Sequence, residues 1–272
     1  MSLLSRHSMG ESSLHPLLQQ AIDSYAVNGF SGANFPTGNW IANLNTFYND
    51  LQTYGFISLT ASLKLEYLYI WAIEGASIDF GRINLVRPTF SVMTGSPGFL
   101  SKNGIGNNIG QLDVPFRLFD AGANDFVLGT NLYNCNYGVW SKVGGPEAVF
   151  YNMMITGGAT NSRVTRISAR TNPRTDALLN LTTASPFVIQ NGVTQSNTIY
   201  GIGARSSILP YTFVNGTEGA GASGNASPDN TTIVFSVLYP NRYLGGAFGG
   251  VAWSTTDIAN FNTALQAFNS RL

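Results

Sequence analysis

The amino-acid sequence predicts a mainly β fold, a sandwich or a barrel, with helices at its two ends. Three observations carry that reading. From about Thr60 onward the apolar residues fall in short runs broken by Gly, Asn, Pro and Ser. Asn191-Gly192 and Asn215-Gly216 are dipeptides suited to tight hairpin turns, since Asn and Gly both tolerate positive φ. Apolar residues at helical spacing occur near the two ends of the chain.

Residues 1–13 are small and polar and read as an extended arm. A helix is expected from Leu14 to Tyr25, with Ser13 as its cap and Pro16 tolerated in the first turn. Leu14, Leu17, Leu18, Ala21, Ile22 and Tyr25 share one of its faces. Asn28-Gly29-Phe30-Ser31-Gly32 then breaks the chain. A second helix, capped by Asn39, carries Trp40, Ile41, Leu44, Phe47, Tyr48 and Leu51 on one face and stops at Tyr54-Gly55. Leu65–Ile73 is dense in aromatic and aliphatic residues, as buried strands are. Further strands are expected at Phe116–Phe119, Val139–Lys142, Val149–Ile155, Arg163–Ala169, Thr198–Ala204, Tyr211–Val214, Thr231–Leu238 and Gly246–Trp253. A last helix over Asp257–Ser270 follows a capping-box match between Ser254 and Asp257. The organisation expected is an arm and helical anchoring segment over 1–60 and a β domain over 61–272.

Composition excludes several function classes. Charged residues make up only 10% of the 272 residues and the net charge is zero. An ordinary soluble domain has about 25%. Nothing here draws a phosphate backbone, so nucleic acid is excluded as a partner. The missing charge is replaced by Asn, Ser, Thr and 30 Gly, a neutral polar surface suited to wet, hydrogen-bonded interfaces. One cysteine, Cys135, rules out an intrachain disulfide. The first residues lack the apolar stretch of a secretory signal, and no run reaches the roughly 18 apolar residues of a membrane span. Synthesis in a cytoplasm without a signal peptide is the resulting expectation.

The β region resembles the concanavalin A-like, or laminin G-like, jelly-roll domains of tailed-bacteriophage structural proteins. The likeness rests on ordered segments: Leu65–Ile73 with Ile83–Phe90, then Phe119-Asp120 through Tyr137-Gly138-Val139-Trp140-Ser141. Next come Ile199–Arg205 with Tyr211–Gly216, and Phe248-Gly249-Gly250-Val251-Ala252-Trp253 leading into Thr256–Leu272. The closing run is Trp253-Ser254-Thr255-Thr256 where those domains carry Gly-Leu-Thr, so the loop before the last helix departs from the pattern. The resemblance implies a concanavalin A-like jelly-roll sandwich in a virion structural protein: a head decoration, fibre or tail-associated subunit. It further implies a homo-oligomer, such as a trimer, in contact with other virion proteins. Host surface glycans are a further expected partner, and the chain then acts as an adhesin.

Constellations for catalysis are thin. The chain has five Glu, namely Glu11, Glu66, Glu74, Glu147 and Glu218, and none stands in a glucanase E-x-D-x-x-E spacing. Glu74 and Asp79 are separated by Gly75 among others and need not share a strand face. The only histidines, His7 and His15, fall in the N-terminal region and read as surface or subunit contacts. Cys135 has no basic neighbour before Lys142 and reads as inert. Asp113, Asp120 and Asp125, with Asn124 and Asn131, are the nearest approach to a calcium site, and turn acids explain them more simply. No metal, no cofactor and no catalysis are therefore expected. For sugar, Tyr133, Asn134, Asn136, Tyr137 and Trp140 supply aromatic rings and amides in one stretch, although Trp140 also reads as an inward-facing core residue.

Overall fold

A computed structural model describes residues 13–30, 32–89, 93–94, 98–106, 111–117, 128, 134–143, 151–157, 164–170, 174–181, 187–191, 196–206, 210–220, 231–237 and 243–272. The described residues include three α-helices: α1 (Pro16–Val27), α2 (Gly38–Thr53) and α3 (Thr255–Ser270). The strands are β1 (Leu65–Ile70), β2 (Met93–Thr94), β3 (Gly98–Leu100), β4 (Gly104–Gly106), β5 (Gln111–Arg117), β6 (Cys135–Val143), β7 (Tyr151–Gly157) and β8 (Val164–Arg170). They continue with β9 (Arg174–Leu181), β10 (Phe187–Asn191), β11 (Thr198–Ala204), β12 (Pro210–Val214), β13 (Thr217–Ala220), β14 (Thr231–Val237) and β15 (Tyr243–Gly250).

The strands form two antiparallel sheets, as expected of a sandwich. An eight-stranded sheet runs β13-β12-β11-β6-β15, with β1 and the β4-β3 pair both on the far side of β15. A seven-stranded sheet runs β10-β9-β8-β7-β14-β5-β2. Strands β8, β9 and β10 approach β11 and β12 within 8 Å between Cα atoms, which brings the sheets together. Asn215 and Gly216 take φ of 46° and 81°, so the hairpin between β12 and β13 has the expected double positive-φ turn.

Side chains alternate across the eight-stranded sheet. Leu68, Ile70, Trp140, Ile199, Tyr211, Phe213 and Phe248 point to one face, where they join α1, α2 and α3 in a single apolar cluster. Tyr67, Tyr137, Val139, Tyr200, Ile202 and Val214 are equally buried yet stand apart from that cluster. They face the second sheet. The order of layers is therefore helices, eight-stranded sheet, seven-stranded sheet. The boundary expected near residue 60 falls within one continuous core. Trp40 on α2 packs edge-on to Phe268 on α3 at 6.1 Å and donates from Nε1 to the Ala72 carbonyl at 2.8 Å. The helical segment is thus part of the same fold as the sheets.

Aromatic residues sit across from glycines in the strand register. Phe248 is paired with Gly138, Phe213 with Gly201, Tyr211 with Gly203 and Tyr67 with Gly249. At each of these glycines a Cβ would run into the ring of its cross-strand partner. A Cβ on Gly249 would stand 2.5 Å from the Tyr67 ring, and one on Gly245 would stand 2.6 Å from the Trp140 ring. Each ring lies flat on bare backbone, and this lets large aromatics fill both faces of the sheet. The abundance of glycine is thus partly a packing requirement of the core.

Helix ends differ in detail from expectation. The cap of α1 is His15, whose Nδ1 accepts from the Leu17 amide at 3.2 Å, in place of Ser13. Thr37 caps α2 through its Oγ1, which accepts from Trp40 N, and Asn39 lies inside the helix. Ser254 and Asp257 form both bonds of the expected capping box on α3.

Candidate functional site

Of the five residues expected to bind sugar, the four described do not make a surface platform. Tyr133 lies outside the described residues. Trp140 is fully buried at 0% exposure, packed against Phe268 on α3 and against the bare backbone at Gly245. Tyr137 is buried on the opposite face of β6, beside Cys135, where burial pushes the thiol up to about 12. The two asparagines instead hold the loop that closes the β domain. Asn134 Oδ1 accepts from the Ala252 amide at 3.0 Å, and buried Asn136 donates from Nδ2 to the Val251 carbonyl at 2.7 Å. Strand alternation explains the correction: Asn136 and Trp140 fall on the helix-covered face and Tyr137 on the sheet-covered face.

That loop is the best-organised polar site among the described residues. Arg205, just past β11, stacks over the Tyr211 ring at 4.1 Å. Its Nε donates to the Trp253 carbonyl at 2.7 Å, and its two terminal nitrogens donate to Glu218 on β13 at 2.6 and 2.7 Å. Glu218 also accepts from Thr255 Oγ1 at 2.6 Å, and Tyr211 Oη accepts from the Trp253 amide at 2.9 Å. The Arg205 hydrogen bond holds the Glu218 carboxyl below its usual range, with Thr255 adding to it. Next to it, Lys64 pairs with Asp257 at 2.5 Å. Burial opposes ionisation of Asp257, but Lys64 and Ser254 together keep its carboxyl below the usual value. The side chains of Arg205 and Glu218 retain 32% and 20% exposure, so this cluster reaches the surface at one rim of the eight-stranded sheet.

The sequence carried a signal for this cluster that composition alone hides. Folding β11, β12 and β13 as a meander through the Asn215-Gly216 turn sets Gly203 opposite Tyr211 and Tyr211 opposite Ala220. Glu218 pairs with Phe213 close to that turn, and Arg205, just past the far end of β11, reaches it across the Tyr211 ring. Every Arg205 donor group except its outward hydrogens is committed, so the cluster acts as a latch on the closing loop. Replacing Arg205 with Ala is expected to cost about 1 kcal/mol, the screened value of a partly exposed bidentate pair plus a backbone anchor. A fall in urea midpoint that high salt diminishes checks this.

Of the other acids weighed for chemistry, Glu66, Glu74 and Asp79 each have a side-chain partner. Glu74 pairs with Lys102 at 3.1 Å, and Asp79 accepts from Asn34 and lies 3.8 Å from Arg82. Glu66, buried on β1, pairs with Arg87 and accepts from the Leu128 amide at 2.7 Å. Asp113 lies on β5 paired with Val234, whereas Asp120, Asn124, Asp125 and Asn131 are outside the described residues. Among the described residues no group of three His, Cys, Asp or Glu could hold a metal ion. No helix among them is long and apolar enough to cross a membrane.

The fold and this rim define a class: a mainly β, two-sheet antiparallel sandwich with one sheet roofed by helices. No family model matches the chain, and no curated protein does. Solved structures do. A Trypanosoma rangeli sialidase in complex with 2,3-difluorosialic acid, a covalent intermediate, matches with a TM-score of 0.56 at 11% identity, over 84% of this chain and 39% of that one. The same enzyme in complex with sialic acid matches with a TM-score of 0.54 at 9% identity, again over 84% and 39%. The binding domain of botulinum neurotoxin DC in complex with SialylT is a looser likeness, at 0.46 and 11% identity over 64% and 47%, too distant to argue from. The chain thus spans about two fifths of the length of the sialidases whose fold it shares. This corrects the expectation that the chain is not an enzyme, because sialidases, which are enzymes, share its fold over most of its length.

Proposed function

We propose that this chain is a glycan-recognising, lectin-like sandwich, borne on a bacteriophage particle, and that its sugar is a sialic acid-bearing or related host glycan. The observation that supports the sugar most is the fold shared over 84% of the chain with a sialidase that holds sialic acid. The virion setting is supported by the ordered likeness of the β-region segments to tailed-phage jelly rolls. Surface chemistry agrees with both: at 10% charge, the polar groups available are hydroxyls and amides, which suit sugar hydroxyls.

The layers restrict where a glycan fits. Helices cover one face of the eight-stranded sheet and the seven-stranded sheet covers the other. The sugar therefore meets the outer face of the seven-stranded sheet or the loops at a rim. An array of sialylated glycans and their desialylated counterparts, probed with the full chain, tests the reading. Binding that disappears on desialylation is expected, and free sialic acid is assayed in the same wells to measure any cleavage. A chain that holds no glycan on the array refutes the sugar. An antibody to the chain is expected to label phage particles in negative stain, and label confined to host cytoplasm refutes the virion setting.

A further inference from the structure

We propose that His15 is an acid-sensitive latch whose protonation uncaps α1 and releases it from α2. The histidine is 3% exposed, and its ring packs on Tyr48 of α2 with centroids 5.2 Å apart. Its own amide donates to Asn45 Oδ1 at 2.7 Å. Its Nδ1 accepts from the Leu17 amide, one of the first amides of α1, which have no partner within the helix. An imidazole nitrogen accepts only while it carries no proton. Protonation at Nδ1 thus converts the cap from acceptor to donor. It also sets a positive charge on the positive end of the helix dipole.

No described carboxylate stands against the ring to balance that charge. From α2, Asn45, Tyr48 and Gln52 face it, all neutral near pH 7. The α2 carboxylate Asp50 pairs with Arg271 at 3.6 Å. On α1, Asp23 accepts from Gln19, two turns further along. Glu11 precedes the described residues. Burial lowers the His15 pKa from the usual imidazole value, and Gln52 offsets only part of that. The sign follows. The neutral ring is favoured in the folded state, so its full contribution is present above about pH 6.5. It is lost as pH falls from there through the lower folded value. What α1 then gives up is the docking of Leu17, Leu18, Ala21, Ile22 and Tyr25, all buried in the helix layer.

Hydrogen exchange of the full chain at pH 7.5 and pH 5, corrected for intrinsic rates, reads the latch. Amides of residues 17–22 are expected to exchange about tenfold faster at pH 5, against unchanged amides in α3. His15→Asn keeps a good capping acceptor that does not titrate. In that variant the acid response of α1 is expected to vanish. Equal protection of α1 at both pH values in the wild type overturns the proposal. So does an undiminished acid response in His15→Asn, because carboxylates elsewhere would then be the cause.

Discussion

Replacing Phe261 with Ala is expected to destabilise the protein by about 4 kcal/mol, within the range for deleting a buried phenylalanine ring. Phe261 is 1% exposed on the inner face of α3. Its ring lies 4.4 Å from that of Phe248 on β15 and 4.7 Å from that of Trp253 in the closing loop. It also meets Phe56, just past α2, at 5.5 Å and Phe47 on α2 at 6.5 Å. One side chain therefore touches a sheet, the closing loop, the neighbouring helix α2 and the segment just past that helix. Because the surrounding rings come from four separate segments, they cannot all move inward to fill the space left behind. Urea denaturation followed by circular dichroism checks the figure. Val27→Ala, at 86% exposure, is the matched control and is expected to change stability by less than about 0.5 kcal/mol. A Phe261→Ala loss as small as that of Val27→Ala would show that the helix layer is not the anchor of the eight-stranded sheet.

The parts of this fold legible in the sequence were those set by local pattern. The apolar stripe Ile258, Phe261, Leu265, Phe268 and Leu272 placed α3, and the Ser254–Asp257 box placed its start within two residues. Thr198–Ala204 was read with both ends correct, since Asn197 precedes the run and Arg205-Ser206-Ser207 follows it. Strand ends elsewhere shifted by a few residues, as at β5, which begins at Gln111 where Phe116 was expected. A Pro at position 115 obscured that strand, since proline usually argues against one.

The site was less legible for a different reason. Tyr137, Trp140, Asn134 and Asn136 have the chemistry of a sugar platform, and composition cannot say which face is covered. Alternation alone sends Tyr137 and Trp140 to opposite faces. In a sheet exposed on one side, one of them would meet water. Here helices drawn from both ends of the chain roof the second face, so both are core. The fact that decided the matter was the docking of α1 and α2 onto strands far away in sequence, and no local pattern encodes that. His15 shows the same effect in small. Its position suggested a surface residue, yet Asn45 and Tyr48, thirty or more positions on, bury it.

Gly138→Ala is expected to cost about 3 kcal/mol, as much as a severe overpacking substitution, though it adds a single methyl group. Gly138 lies in the middle of β6 and pairs with Phe248 on one side and Gly201 on the other. A Cβ there would penetrate the Phe248 ring and also stand 2.8 Å from the Tyr200 carbonyl oxygen. The ring can rotate away only by pressing on Trp253, with which it is stacked at 5.4 Å and 4°. The carbonyl belongs to the backbone ladder between β6 and β11 and cannot yield without breaking pairs on both sides. Phe248→Leu in the same chain separates the two causes. It removes the ring clash and leaves the carbonyl, so the double variant is expected to lose less than the sum of the single losses. Simple additivity would mean that the ring never met the new methyl group. In that case the pairing of aromatics with glycines would not be what fixes this sheet. Gly32→Ala, where nothing lies within 4 Å of the added carbon, is expected to be nearly neutral and shows that the loss belongs to the site rather than to the exchange of glycine for alanine.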